Sequence, residues 1–255
     1  MSRINQIIAR CCFVLCVWGC FTVAPEELMV AVATNFLTTA EELIKQFEEE
    51  SDLKITLVAG SSGQLFAQAK NGAPYDVFFS ADQEKIEAIV EESLGIDDSR
   101  ITYARGRLCF MVNPKKDYKQ NAGELFANLE FTRIVLANPK LAPYGAAAEE
   151  VFDALEIDMK KEKKKVILAD NVGKAYAIVN TGNADVGMVA LSSVLDDELS
   201  DEYFYVLPAK HYSPLRQDAI ILSRTKNEAS AREFIDFVQS DDAKAIIRNN
   251  GYELD

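Results

Sequence analysis

Apolar runs alternate with amphipathic segments along most of the chain. Residues 28–34 form an unbroken apolar run, as expected of a buried parallel strand. Residues 38–51 follow, with apolar positions from Ala40 to Phe47 at the i, i+3, i+4, i+7 spacing of one helix face. Thr38, at the start of this segment, is predicted to cap the helix through its hydroxyl. This succession is typical of one strand–helix unit.

The same succession recurs along the chain and predicts an α/β fold in which helices cover both faces of parallel sheets. Further strands are predicted at 54–60, 76–80, 107–114, 132–138, 164–170, 184–192, 203–209 and 218–223. Further helices are predicted at 62–71, 82–92, 144–155, 172–183 and 228–240, followed by a helical piece that ends at Gly251. The linker-like stretch 93–106 indicates two lobes. Periodicity alone leaves open whether the chain returns to the first lobe at its end.

Four of the predicted strands end in small polar residues that come directly before a helix. A helix N-terminus offers unpaired N–H donors and a partial positive charge, which suits an anion without any lysine or arginine. A helix cap is the simpler interpretation of each stretch taken singly. The same arrangement, a small polar stretch directly before a helix, recurs at several strand ends, and this recurrence favours a binding site. The four stretches are ATNF (33–36), GSSG (60–63), APYG (142–145) and DNVG (170–173).

Residues 1–24 are predicted to be a secretory signal peptide. Arg3 and Arg10 form a basic front, and an apolar core follows that is short for a membrane span. Cleavage is expected after Ala24. In the alternative, a lipoprotein signal, Cys20 is lipidated. Both interpretations export the protein to the periplasm, and cleavage after Ala24 leaves Cys109 as the one cysteine, interpreted as a core residue without a disulfide or a cysteine-based metal site.

The charge balance of the chain is acidic. Its 255 residues include 27 Lys+Arg and 40 Asp+Glu, for a formal net charge of -13. Such a surface repels nucleic acid and anionic membranes, so neither is an expected partner. It also repels anions at long range, so an anion site must be built from local dipoles.

Enzymatic motifs are weak in this sequence. His211 is the only histidine, and a hydrolase pairing it with Ser61 or Ser62 lacks the Gly-x-Ser-x-Gly elbow. No phosphate loop or dinucleotide-binding glycine motif is present. Asp76 and Asp82 admit a paired-carboxylate interpretation, but structural roles at a strand and a helix start are favoured. The sequence therefore predicts neither an enzyme nor a cofactor.

The four strand-end stretches, in order and together with the closing segment 231–252, carry a family resemblance. The segment 58–83, with GSSG, GAP, DVF and SAD in succession, is its most specific part. The chain resembles the periplasmic molybdate-binding proteins, the solute-binding components of molybdate ABC transporters. The resemblance covers essentially the whole mature chain.

The resemblance implies a two-lobed, type II periplasmic-binding fold in which helices flank a mainly parallel sheet in each lobe. It places residues 25–106 and 212–255 in lobe I and residues 107–211 in lobe II, with the ligand in the cleft between them. It implies a monomer that carries molybdate or tungstate to a membrane permease and needs no cofactor. Molybdenum would be held only as its oxyanion, without direct ligands from the protein.

The resemblance also implies a set of binding residues. Thr34, Asn35 and Ser62 would contact the oxyanion from lobe I, while Tyr144 and Val172 would supply backbone N–H groups from lobe II. Ser61 is a secondary candidate. Some family members carry a ligand-contacting tyrosine after the Gly-Met-Val of strand 184–192, where this chain has Ala190, so it resembles the subgroup that uses a Thr-Asn pair.

A site of hydrogen-bond donors alone suits a fully deprotonated tetrahedral dianion, because every ligand oxygen is an acceptor. Phosphate keeps a proton near neutral pH and is disfavoured, whereas sulfate must be rejected by its size. Tungstate is nearly the size of molybdate and is expected to bind. The alternatives are a receptor for another anion, such as sulfate, thiosulfate or a carboxylate, an exported Ser/His hydrolase, and an adhesion or structural surface protein.

Overall fold

A computed structural model describes residues 27–158, 161 and 166–254. The predicted signal peptide, with the cleavage point after Ala24 and the alternative lipidation site Cys20, lies outside these residues. Among the helices of the described residues, none is long and apolar enough to pass through a bilayer.

Strands and helices alternate as the hydrophobic pattern predicts. The strands are β1 Glu27–Ala33, β2 Lys54–Gly60, β3 Val77–Phe79, β4 Ile101–Gly106, β5 Leu108–Val112, β6 Ile134–Ala137, β7 Val166–Ala169, β8 Val186–Ala190, β9 Phe204–Val206 and β10 Leu215–Ile221. The α-helices are α1 Leu37–Glu50, α2 Ser62–Lys70, α3 Glu84–Glu91, α4 Ala122–Asn128, α5 Pro143–Ala154, α6 Val172–Asn180, α7 Leu191–Asp196, α8 Glu228–Val238 and α9 Asp241–Asn249. A 3-10 turn, Thr34–Phe36, joins β1 to α1.

The strands form two five-stranded sheets, in the orders β2-β1-β3-β10-β4 and β7-β6-β8-β5-β9. In the first sheet β1 runs parallel to β2 and β3, while β10 is antiparallel to β3 and β4. In the second, β6 is parallel to β7 and β8, while β5 is antiparallel to β8 and β9. The prediction of parallel pairing therefore holds within the strand–helix units, and the antiparallel pairs involve the strands that carry the chain between the lobes.

Both faces of each sheet are covered, which explains the unbroken apolar runs. Successive strand residues point to opposite faces. In β1, Val30 and Val32 join the cluster formed with α1, α8 and α9, while Ala31 joins the cluster under α2 and α3. In β5, Phe110 and Cys109 face different clusters in the same way. Cys109 is fully buried, as predicted, and burial raises the pKa of its thiol.

Three elements differ from the predictions. The stretch 93–106, interpreted as a linker, contains β4, which becomes a strand by pairing with β10. Helix α4 was not predicted, although Asn121 and Glu124 cap its start reciprocally. The predicted strand 184–192 ends at Ala190, where α7 begins.

The predicted cap at Thr38 is wrong. No side chain caps the N-terminus of α1, because the preceding 3-10 turn already leads the chain into the helix. The Thr38 hydroxyl donates instead to Asp196 of α7, at 3.2 Å. Thr38 therefore joins the first lobe to the second.

Candidate ligand-binding site

All six predicted binding residues lie around one small cavity between the two sheets. Its volume is about 10 Å³, roughly the room that one water molecule needs and far below the roughly 300 Å³ at which pockets for small organic molecules begin. The lining residues are Ala33, Thr34, Asn35, Gly60, Ser61, Ser62, Ala81, Ala142, Pro143, Tyr144, Asn171 and Val172.

Three α-helices begin at this cavity. Ser62 and Val172 are the first residues of α2 and α6, and Tyr144 is the second residue of α5. The 3-10 turn that starts at Thr34 adds a fourth helical start. The first N–H groups of a helix have no acceptor within it, and the helix dipole makes this end positive. The cavity therefore has a positive potential that comes from the backbone.

The hydroxyls at the cavity are oriented by backbone amides. Ser62 Oγ accepts a hydrogen bond from the Ala81 N–H at 2.9 Å, and Thr34 Oγ1 accepts one from the Gly173 N–H at 3.3 Å. Ser61 Oγ accepts from the Gln64 N–H at 3.3 Å. Ser61 is thus the N-cap of α2, the helix-cap role given above as the simpler interpretation of such a stretch. Each hydroxyl has one proton to donate, and these three donate to no acceptor among the described residues. Their protons are free for a ligand.

The side chain of Asn35 has a different role. Its amide nitrogen donates to Gln217 Oε1 at 2.9 Å and to Tyr252 Oη at 3.2 Å. An amide NH₂ group has two hydrogens, so both are engaged in a buried network of the first lobe. The donor left to Asn35 is its backbone N–H. Periodicity and motifs held no signal for Gln217 or Tyr252, because both come from the far end of the chain.

No lining residue of the cavity is charged. Burial raises the pKa of the Tyr144 hydroxyl well above its ordinary value, so this side chain stays neutral. A larger cavity of about 280 Å³ adjoins the first one and shares Ala81, Ala142 and Pro143 with it. Its wall mixes both signs of charge, with Asp82, Glu84, Lys85, Lys140, Glu150 and Arg216. Of these two cavities, the smaller has the neutral, donor-rich lining predicted from the sequence.

The residues of the two alternative sites, the Ser/His pair and the paired carboxylates, do not come together at this cavity. His211 lies in a 3-10 turn, Ala209–His211, and does not line the cavity with Ser61 and Ser62. Asp82 accepts from the Lys85 N–H at 2.9 Å near the start of α3, and Asp76 accepts from the Met29 N–H at 2.7 Å. Within the described residues, no group of three or more His, Cys, Asp or Glu side chains is placed to hold a metal ion.

Direct contacts hold the lobes together on both sides of the cavity. The Gly63 N–H donates to the Leu141 carbonyl at 3.0 Å, and a Cβ on Gly63 would lie 3.0 Å from that same oxygen. The bond from Gly173 to Thr34 is a second crossing contact. These contacts bring the donors of α2 near those of α5 and α6, so a ligand in the cavity is reached from both lobes.

The family described as bacterial extracellular solute-binding protein matches the chain over residues 28–253. The molybdate-binding protein ModA of Azotobacter vinelandii is 35% identical over 229 residues, which cover 89% of this chain and 90% of the relative. The molybdate-binding protein ModA of Rhodobacter capsulatus is 36% identical, covering 90% of this chain and 89% of the relative. The solved structure of the Azotobacter vinelandii periplasmic molybdate-binding protein matches with a TM-score of 0.84, over 89% of this chain and 99% of that one.

Proposed function

Because the chain belongs to the family of bacterial extracellular solute-binding proteins, we propose that it captures molybdate or tungstate in the periplasm and delivers it to the permease of an ABC transporter. One observation carries the proposal: the small cavity between the lobes has hydrogen-bond donors from both lobes and no charged residue. The similarity to two molybdate-binding proteins over nine-tenths of the chain supports it.

The proposed contacts follow from the free donors. The hydroxyls of Thr34 and Ser62 and the backbone N–H of Asn35 bind the oxyanion from lobe I. The N–H groups of Tyr144 and Val172 bind it from lobe II, and Ser61 is a secondary donor. A hydrogen bond to a charged group contributes about 1.5–3 kcal/mol. Such contributions are not additive, and part of their sum is lost to the entropy of association.

Selectivity follows from the same lining. Phosphate keeps a proton near neutral pH, and the proposed contacts offer that proton no acceptor. Sulfate has the charge and shape of molybdate but is smaller, so its oxygens cannot reach the donors of both lobes at once. The distance between these donors is held by the crossing bonds at Gly63 and Thr34. Tungstate matches molybdate in size and binds equally.

The lobes of the proposal are residues 25–106 with 212–255, and residues 107–211. The sheets support these boundaries, since β4 and β5 are separated by Arg107 and the chain returns through residues 212–214 to β10. Ligand release occurs by a hinge motion at these two crossings. The protein acts as an exported monomer without a cofactor, with molybdate as its cargo, and retention at the membrane through Cys20 is the alternative to a free periplasmic form.

A thermal-shift screen of the exported protein tests the function. Molybdate and tungstate are expected to raise the melting temperature, since a ligand at one hundred times its Kd stabilises the folded state by about 2.7 kcal/mol. Sulfate and phosphate at the same concentration are expected to give little or no shift. A sulfate or thiosulfate shift equal to that of molybdate would identify a different oxyanion receptor. The absence of any shift would favour a structural surface protein, and esterase activity that is lost in His211→Ala would favour the hydrolase.

Ser62→Ala is expected to weaken molybdate binding by about tenfold or more, which corresponds to about 1.4 kcal/mol, because one charge-assisted hydrogen bond is lost. The variant also leaves the Ala81 N–H without its acceptor, so the unliganded protein is expected to melt at a lower temperature. Isothermal titration calorimetry measures the affinity, and differential scanning calorimetry measures the stability.

Ser240→Ala is the matched control. Ser240 Oγ accepts from the Ala243 N–H at 3.2 Å at the start of α9, and it does not line the cavity. This control loses a similar backbone-to-hydroxyl bond, and molybdate affinity is expected to be unchanged. Wild-type affinity in Ser62→Ala would remove Ser62 from the site.

A further inference from the structure

We infer that Ser192, a residue outside the cavity, positions Asn35 as part of a latch that holds the two lobes closed and slows release of the bound oxyanion. The latch consists of Ser192 of lobe II together with Asn35 and Tyr252 of lobe I. The inference rests on the proposed function, because it concerns how the ligand of that cavity is retained.

One backbone carbonyl is held from both lobes at once. Ser192 Oγ, at the start of α7, donates to the Asn35 carbonyl at 2.8 Å. Tyr252 Oη, near the C-terminus, donates to the same oxygen at 2.5 Å and lies 3.1 Å from Ser192 Oγ. Ser192 is 7% exposed and Tyr252 is 5% exposed. This carbonyl is therefore a buried acceptor shared by the two lobes.

Asn35 is also held in place by the hydrogen bonds of its side chain. Its amide donates to Tyr252 Oη and to Gln217 Oε1. Gln217 is fully buried, and its own amide donates to Tyr144 Oη at 3.3 Å. The buried network thus connects Asn35, which lines the cavity in lobe I, with Tyr144 of α5, which lines it in lobe II.

The buried network lies close to Gly106, where the chain passes from lobe I to lobe II. A Cβ at this last residue of β4 would lie 2.1 Å from Tyr144 Oη and 2.5 Å from Gln217 Nε2. The polar groups of Tyr144 and Gln217 thus fill the space beside the strand where the chain leaves lobe I. The network is therefore packed against the crossing between the lobes.

We expect the bond between Ser192 and Asn35 to form only while the lobes are closed, because Asn35 lies in the turn after β1 of lobe I and Ser192 lies in α7 of lobe II. The Ser192 hydroxyl does not touch the ligand and holds only the carbonyl of Asn35, so its main effect is expected on closure. A buried hydrogen bond of this kind is expected to slow lobe opening by about two- to tenfold. Because ligand enters before closure and leaves after opening, the effect falls on the dissociation rate.

The test compares Ser192→Ala with Ser193→Ala in the exported protein, with molybdate as the probe. Ser193 is the next residue of α7 and is more exposed, and its hydroxyl is not part of the latch. Stopped-flow tyrosine fluorescence measures the association and dissociation rates. Ser192→Ala is expected to raise the dissociation rate by about two- to tenfold, with association changed less than twofold. Ser193→Ala is expected to match the wild type.

Tyr252→Phe provides a second variant, since the ring keeps its edge contact with Phe36 at 5.3 Å while the hydroxyl is lost. It is expected to raise the dissociation rate in the same direction. Small-angle scattering with saturating molybdate is expected to show a larger fraction of open molecules for Ser192→Ala than for Ser193→Ala. A purely structural role would lower the melting temperature of the unliganded protein without changing the dissociation rate.

The outcomes separate this inference from the proposed function. Wild-type protein that binds molybdate, together with a Ser192→Ala dissociation rate equal to that of the wild type, overturns the latch alone. A lower melting temperature of Ser192→Ala with an unchanged dissociation rate also overturns it. Wild-type protein that binds neither molybdate nor tungstate overturns the proposed function and the latch together.

Discussion

Val172→Pro is expected to weaken molybdate binding by about ten- to one-hundredfold, because it removes one backbone N–H donor and leaves helix α6 in place. A hydrogen bond to a charged group contributes about 1.5–3 kcal/mol, and about 1.4 kcal/mol corresponds to a tenfold change in affinity. Val172 is the first residue of α6, the helix position at which proline is best tolerated. The preceding Asn171 has φ -153° and ψ 171°, an extended conformation that the residue before a proline readily adopts.

Val172→Ala isolates the amide from the side chain. Both variants lose the buried isopropyl group of Val172, which is 3% exposed, but alanine keeps the N–H. Asn171 Oδ1 accepts from the Lys174 N–H at 2.8 Å, so the cap of α6 is retained in both. Calorimetric titration with molybdate measures the ratio of the two affinities. Equal affinities would show that the Val172 N–H does not contact the oxyanion.

Gly145→Ala is expected to destabilise the protein by about 1–3 kcal/mol, the usual cost of overpacking, and to disturb the site. An added Cβ would lie 2.3 Å from the Ala137 carbonyl oxygen, 2.8 Å from its carbon and 2.9 Å from the Pro139 nitrogen. All three are backbone atoms, so no side-chain rotation relieves the contact. Helix α5 must then move away from the end of β6, and it carries Tyr144 with it.

Gly123→Ala is the matched control within the same lobe. Gly123 lies in α4, and its added Cβ would come no closer than 3.3 Å to the Tyr205 ring, a side chain that can adjust. Because alanine favours the helix by about 1 kcal/mol over glycine, this variant is expected to melt at or above the wild-type temperature. Differential scanning calorimetry with and without molybdate compares the two. A wild-type melting temperature for Gly145→Ala would contradict the close approach of α5 to β6.

Much of the fold was predictable because it depends on local periodicity. The apolar run of β1 and the helix face from Ala40 to Phe47 are readable from neighbouring residues, and both lie where they were expected. Strand β4 could not be recognised in this way. Its residues Ile101 and Thr102 are held by Ala219 and Asp218, so its strand conformation depends on a partner far along the chain.

In the candidate site, too, some features follow from neighbouring residues and others depend on distant partners. The prediction that donors cluster at helix starts needed only the order of strands and helices, since an unpaired N–H at a helix start is a property of the helix itself. The roles of individual side chains needed the structure. Asn35 binds Gln217 and Tyr252, which are 182 and 217 residues away, and the Thr38 hydroxyl reaches Asp196 in place of its predicted local cap.

The sequence by itself determined the alternation of strands and helices, the faces that are buried, and the presence of uncharged donors at four strand ends. The tertiary structure alone decided that these ends meet at one cavity, that the hydroxyls of Thr34 and Ser62 keep their protons free, and that Ser192 joins the lobes behind Asn35. The physical reason is range: backbone conformation and helix-end polarity arise from adjacent residues, whereas a hydrogen-bond partner is defined only when distant segments are folded together.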